Sequence, residues 1–198
     1  MFYQMRYDMD GVDRRLSAGE SFIYAEDDNL DEIVYDGIKQ GFFHTIILKN
    51  VSIDKWPRVA FYYSSKASGR ESDFLCNARN WPLVHAKVKT MFETNGIRGV
   101  SFYPIALVDV VSNQVNKNYY LLFVHSFIDA YDLEKSEYKY NVKYKLYTFL
   151  PHKTYLDQET CSSFDIFRCR HHPAVVYISQ KLADLVRAFT GFSFIPQK

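Results

Sequence analysis

The sequence predicts a single-domain α+β fold, a mostly antiparallel twisted sheet with two amphipathic helices packed on it. Three observations carry this. Short β-branched and aromatic runs, separated by turn residues, outnumber helical stretches. Two stretches in the second half show apolar spacing of helical period. Each of those helices lies in one copy of an internal repeat. At 198 residues, with 47% hydrophobic and 24% charged side chains, the chain suits one sizeable core and is short for two ordinary domains.

Residues 1–63 form a strand-rich N-terminal part. Phe2–Met5, Phe22–Tyr24, Thr45–Leu48 and Val59–Tyr63 read as strands. Leu30, Ile33, Val34 and Ile38 fall at helical spacing after the possible N-caps Asp28 and Asn29, with Gly37 weakening that helix and Gly41 ending it. The polar run 64–72 is a loop. Val100–Val111, broken by Pro104, and Lys117–Ile128 are two strong strand segments. Ser112, Asn113, Gln114 and Asn116 between them predict a hairpin. Over 138–149, Tyr138, Tyr140, Val142, Tyr144 and Leu146 share one parity and Lys139, Lys143 and Lys145 the other. That alternation predicts one strand with an apolar face and a wet, basic face.

Residues 72–105 and 163–197 repeat one another. Asp73 and Asp165, Gly99 and Gly191, Ser101 and Ser193, Phe102 and Phe194, and Pro104 and Pro196 all keep one offset. Two similar β-α-β units follow. Val88, Met91 and Phe92 stripe the first helix; Leu182, Leu185, Val186 and Phe189 stripe the second, which Ser179 can cap. Gly99 and Gly191 suit positive φ where a helix hands over to a strand.

The 24 basic and 23 acidic residues nearly balance, which argues against a general nucleic-acid or anionic-membrane binder. An odd count of three cysteines, with no CxxC pair, and an N-terminus without the apolar run of a signal peptide point to the cytoplasm. Sixteen tyrosines exceed what a core needs, because each buried hydroxyl wants a partner; strand propensity accounts for some and a recognition surface for others.

Two stretches resemble a known family. In NYYLLFVHSFIDAYDLEKSEY, residues 118–138, a tyrosine-rich strand precedes a D-x-x-D-x-E-K-S-x-Y segment. In residues 164–196 the D-I-F-R start and the G-F-x-F-x-P close are similar to the same family's last segment. Together they resemble immunity protein family eleven of bacterial polymorphic-toxin systems, over roughly residues 73–196. The resemblance implies a protein that neutralises a cognate protein toxin by binding it, and it brings no catalytic residues. An enzyme with an unrecognised site, or a regulatory or scaffolding module, are the alternatives.

Candidate chemistry is sparse. Cys169, His171 and His172, with His152 and Cys161, match no zinc spacing, and neither a metal nor a cofactor is expected. Cys76 with His85, or Cys161 with His125, has no nucleophile signature. No GxGxxG, Walker loop, GxSxG or HExxH occurs. The candidate partner-binding residues are therefore the acidic run Glu26, Asp27, Asp28, Asp31 and Glu32, and the motif residues Asp129, Asp132, Glu134 and Tyr138. An acidic run commonly marks a solvated helix start, but facing a basic toxin it would also speed association.

Overall fold

The computed structural model describes residues 1–8, 34–35, 38–39, 56, 59–63, 72–75, 81–144, 146–150 and 153–198. The acidic run, the strands expected at 22–24 and 45–48, nearly all of the 64–72 loop, Cys76 and His152 lie outside them.

The strands are spread over several sheets rather than gathered into one. The elements run β1 (Phe2–Tyr7), β2 (Val34–Tyr35), β3 (Ile38–Lys39), β4 (Ala60–Tyr63), β5 (Phe74–Leu75), β6 (Leu83–His85), α1 (Ala86–Thr94), β7 (Val100–Asp109) and β8 (Val115–Val124). They continue with β9 (Phe127–Ile128), β10 (Tyr138–Asn141), β11 (Leu146–Phe149), α2 (Gln158–Cys161), β12 (Ile166–Cys169), β13 (His172–Ser179), α3 (Gln180–Val186) and β14 (Phe192–Gln197). One five-stranded sheet has the order β14-β1-β13-β12-β9 and the other β4-β7-β8-β6-β5. Each is antiparallel except for one pair, β9–β12 in the first and β4–β7 in the second. In the first sheet the strands flanking α3, β13 and β14, have β1 between them; in the second those flanking α1, β6 and β7, have β8 between them.

The β7–β8 hairpin forms as its turn residues require, with Asn113 at φ 57°. Pro104 does not break β7; it stands ahead of the pairing with β4, which begins at Ala106, and its carbonyl accepts the Trp56 Nε1–H at 2.7 Å. Residues 34–35 and 38–39 are strands paired as Val34↔Lys39 and Tyr35↔Ile38, not parts of a helix. The intervening dipeptide is Asp36-Gly37, a strong hairpin signal that outweighs a helical reading of Leu30, Ile33, Val34 and Ile38. Residues 138–149 are likewise two strands, β10 and β11, and the Asn141 side chain accepts the Tyr144 N–H at 3.2 Å in the turn. The parity expected to be buried is open to solvent: Val142 is 78% and Tyr144 63% exposed.

Strand parity sorts the core into layers. On β8, Leu122 and Val124 face one cluster and Leu121 and Phe123 another. The central cluster joins both sheets: Tyr3, Met5, Val176 and Ile178 of the first and Val84, Leu122 and Val124 of the second meet Val88 and Phe92 of α1 and Leu182, Ala183 and Val186 of α3. Ser179 caps α3 by accepting the Leu182 N–H at 3.2 Å. Gly99 and Gly191 both hold positive φ, at 79° and 89°. On the far face of the first sheet, Phe2, Phe167, Cys169 and Tyr177 are covered by Ala130, Tyr131, Leu156 and Cys161 from segment 130–161. That cover is incomplete, and a cleft opens at its rim.

Candidate partner-binding surface

The motif segment begins as a turn that stabilises itself. Asp132 Oδ1 accepts the N–H groups of Glu134 and Lys135, each at 3.1 Å, and Oδ2 pairs with Lys135 Nζ at 2.5 Å. These hydrogen bonds, Lys135 foremost, hold the Asp132 carboxyl below its ordinary value. Ser136 is buried; its Oγ accepts the Tyr155 N–H at 2.9 Å and donates to the Tyr155 carbonyl at 3.3 Å, tying the turn to the returning chain. Glu137 holds Lys153 at 2.7 Å, and Asp129 lies 3.7 Å from Arg170. Glu134 stands exposed. The turn thus presents Asp129, Glu134 and Tyr138 on its outside, while Asp132 and Ser136 shape it.

Tyr138 opens the β10–β11 ribbon, where Tyr138, Tyr140 and Tyr144 are 37%, 45% and 63% exposed. Ring contacts run inward from it. Tyr147 meets Tyr138 at 5.1 Å, Tyr140 at 4.7 Å and Phe149 at 5.9 Å, and Phe149 meets Tyr131 at 4.4 Å. Tyr131 closes the band with a 2.6 Å hydroxyl–hydroxyl bond to Tyr177 of β13. Burial pushes the Tyr131 phenol up to about 12 and raises that of Tyr177 as well, so both stay protonated at neutral pH.

Beside this pair the far face of the first sheet opens into a cleft of about 560 Å³. Gln4 and Arg6 of β1, His172 and Tyr177 of β13, and Lys198 line it together with Tyr131. Alternation along β1 places Gln4 and Arg6 on this face while Tyr3 and Met5 enter the central core. Arg6 Nη2 donates to Gln4 Oε1 at 3.1 Å, and His172 Nδ1 is 3.4 Å from the Tyr131 hydroxyl. Partial burial, and then the Arg6 guanidinium, lower the His172 pKa from its ordinary value. The polar residues at inward parity on β1 were the available sequence signal for this cleft; their partners come from the far end of the chain.

Of the candidate chemical groups, Cys169 and His171 come together: His171 packs its ring on Tyr147 at 4.7 Å, and its Nδ1 lies 3.7 Å from Sγ of Cys169, which is buried in the far-face cluster. Among the described residues no group of three His, Cys, Asp or Glu side chains could hold a metal ion. The Cys161 and Cys169 thiols are free and buried; burial pushes Cys161 up to about 12 and raises Cys169. Cys161 Sγ donates to the Ala130 carbonyl, whereas His125 Nε2 lies 2.6 Å from Ser101 Oγ on the other sheet, so Cys161 and His125 are not a pair.

The described surface of this α+β protein carries exposed tyrosines and lysines and a cleft lined by Arg6 and Lys198. The chain belongs to the immunity protein family Imm11, whose model matches residues 2–198. The match takes in the N-terminal part as well as residues 73–196, which accords with β1 lying inside the first sheet, between β14 and β13. No curated protein matches the chain. No helix among the described residues is long and apolar enough to cross a membrane.

Proposed function

We propose that this protein neutralises a cognate bacterial toxin in the cytoplasm by stoichiometric binding. The observation that carries the reading, beside family membership, is the ribbon of exposed tyrosines at Tyr138, Tyr140 and Tyr144. Tyrosine supplies large, rigid contact area at low entropic cost, and a ribbon that buries so little of its own aromatic surface is suited to bury it against another chain. Tyr138, with Asp129, Asp132 and Glu134 beside it, belongs to the contact surface; Asp132 acts by holding the turn's shape. The run Glu26, Asp27, Asp28, Asp31 and Glu32 speeds encounter with a basic part of the toxin. In the same reading the two sheets are two copies of one β-α-β unit, each with a foreign strand in its middle, joined through their helices.

Co-expression of the toxin encoded beside this gene tests it. Wild-type protein should restore growth and co-elute with the toxin at a fixed stoichiometry. Growth arrest with no complex would refute the reading.

The 2.6 Å approach of Ser101 Oγ to His125 Nε2 favours hydrolysis as a second reading, since it is the spacing of a nucleophile and its base. Under the binding reading Ser101→Ala protects as well as wild type; under the hydrolytic reading it does not protect.

A further inference from the structure

We propose that the cleft between β1, β14 and the Tyr131–Phe149 edge receives a carboxylate presented by an acidic side chain of the protein partner. The proposal rests on the binding function above and assigns chemistry to one part of the surface. Three observations lead to it.

The first is charge. Arg6 and Lys198 both line the cleft, and among the described residues no Asp or Glu side chain lines it. On the covering segment Glu137 pairs with Lys153 and Asp132 with Lys135. An incoming anion therefore meets two cationic side chains and no described acidic one, in a recess where water is partly displaced and the attraction is less screened than on an open surface.

The second is donor geometry. Gln4 Oε1 accepts from Arg6 Nη2, which steadies the guanidinium, and a guanidinium offers the planar donor fork that fits a carboxylate. The Gln197 amide donates to the carbonyls of Ile195 and Pro196 and is thereby committed to the wall. In the tyrosine pair at the floor one hydroxyl donates to the other, and His172 Nδ1 lies 3.4 Å from the Tyr131 hydroxyl, so the charge that selects an anion comes from the cations.

The third is the approach, which selects a protein side chain over a small free anion. The aromatic band runs without a gap from exposed Tyr140 through Tyr147 and Phe149 to Tyr131 at the cleft wall. Lys143, exposed in the turn of the same ribbon, sets its ammonium over the Tyr144 ring at 5.3 Å. A chain lying along the ribbon would stack on the tyrosines, meet that charge at the turn, and reach the cleft with its acidic side chain. A free anion would need none of this.

The test uses the full chain and Arg6→Gln/Lys198→Gln. Both residues are exposed, so the variant should fold, and an unchanged thermal midpoint verifies that. Glutarate, which mimics the glutamate side chain, and inorganic phosphate are titrated against each protein by nuclear magnetic resonance. Affinity for the adjacently encoded toxin is measured separately at low and high salt. Glutarate should shift Gln4, Arg6 and His172 saturably in the wild type and not in the variant, and should compete with the toxin. The variant should bind toxin about ten-fold or more weakly at low salt, the scale of losing a charge-assisted contact, with the gap narrowing as salt rises. A toxin affinity unchanged by the variant, or a cleft that responds to phosphate and not to glutarate, overturns the proposal. If the wild type binds no toxin, the immunity reading fails by itself. The partner-derived source of the carboxylate then falls with it, and glutarate alone decides whether the cleft binds carboxylates.

Discussion

Replacing Gly191 with alanine should be among the most damaging single changes in the protein. Gly191 has φ +89°, and a Cβ there would stand 2.3 Å from the Phe74 carbonyl oxygen, 3.0 Å from Ser72 Oγ and 3.1 Å from the Phe74 nitrogen. The neighbour is backbone and is held from several directions. The Phe74 N–H donates to the Thr190 carbonyl at 3.1 Å, Asp73 Oδ2 accepts the Thr190 N–H at 3.0 Å, and the Asp8 N–H donates to the Gly191 carbonyl at 2.9 Å. The Phe74 ring lies between Tyr7 at 4.5 Å and Phe192 at 4.6 Å, so this junction ties the two sheets together. Left-handed backbone costs alanine about 1 kcal/mol. Opening a contact of that closeness would sacrifice at least one junction hydrogen bond and one ring contact, about 1 kcal/mol each, besides shifting the strands. The expected total is about 3–5 kcal/mol, a large share of the 5–15 kcal/mol typical of a domain. Gly96 is the internal control: its φ is +64° but nothing lies within 4 Å of an added Cβ. Gly96→Ala should therefore cost only about 1 kcal/mol. Urea unfolding of the two variants measures the difference. Losses agreeing within about 1 kcal/mol would show that the close approach at Gly191 carries no energy and refute the reasoning.

Three further outcomes are expected. Tyr131→Phe and Tyr177→Phe should each lose about 1–3 kcal/mol in unfolding experiments, since each leaves a buried hydroxyl without the other; the double variant should lose less than their sum, and strict additivity would mean the 2.6 Å bond contributes nothing. In a Cys76→Ser background, Ellman's reagent should modify Cys161 and Cys169 slowly in native protein and rapidly in urea, because a thiol pushed up to about 12 is roughly one part in ten thousand thiolate at pH 8; fast native labelling would contradict the burial. Replacing Asp27, Asp28, Asp31 and Glu32 with Ser should slow association with the toxin at low ionic strength and leave dissociation nearly unchanged; equal association rates would remove the acidic run from the interface.

The elements legible in the sequence were those whose signals are local. Val100–Val111 and Lys117–Ile128 are long β-branched runs around turn residues, and the hairpin they make needs nothing from elsewhere. Gly99 and Gly191 were legible for the same reason, because a helix-to-strand turn sets their φ. The misreadings came where two periods fit one stretch. Leu30, Ile33, Val34 and Ile38 satisfy helical spacing, yet Asp-Gly is also a hairpin dipeptide by sequence, and the described residues on either side pair as strands. In YKYNVKYKLYTF the period of two is real, but a period says nothing about where a strand folds back. Asn141 does, through the bond its side chain accepts from the Tyr144 N–H. Once β10 turns into β11, the tyrosine parity no longer faces a core, which is why residues that look buried by pattern are exposed in fact.

The candidate surface was half legible, and the division follows sequence separation. Asp129, Asp132, Glu134 and Tyr138 lie within one turn and one strand start, so their proximity could be read directly. Their separate roles could not. That Asp132 caps its own turn while Tyr138 starts an exposed aromatic ribbon depends on which groups are left over after folding. The cleft is the opposite case. Arg6 and His172 come from strands that are neighbours only because β1 inserts between β13 and β14, with Gln4 opposite both Tyr177 and Ile195. The insertion reverses what a segment-by-segment reading says of the N-terminus. The first seven residues look like a short strand of an extension, yet they pair on both edges and contribute Tyr3 and Met5 to the cluster that joins the two sheets. They also place Arg6 at the cleft. One strand thus feeds the central core through Tyr3 and Met5 and the far face through Phe2, Gln4 and Arg6, the last two at the cleft, and the alternation of side chains along β1 is what allows both.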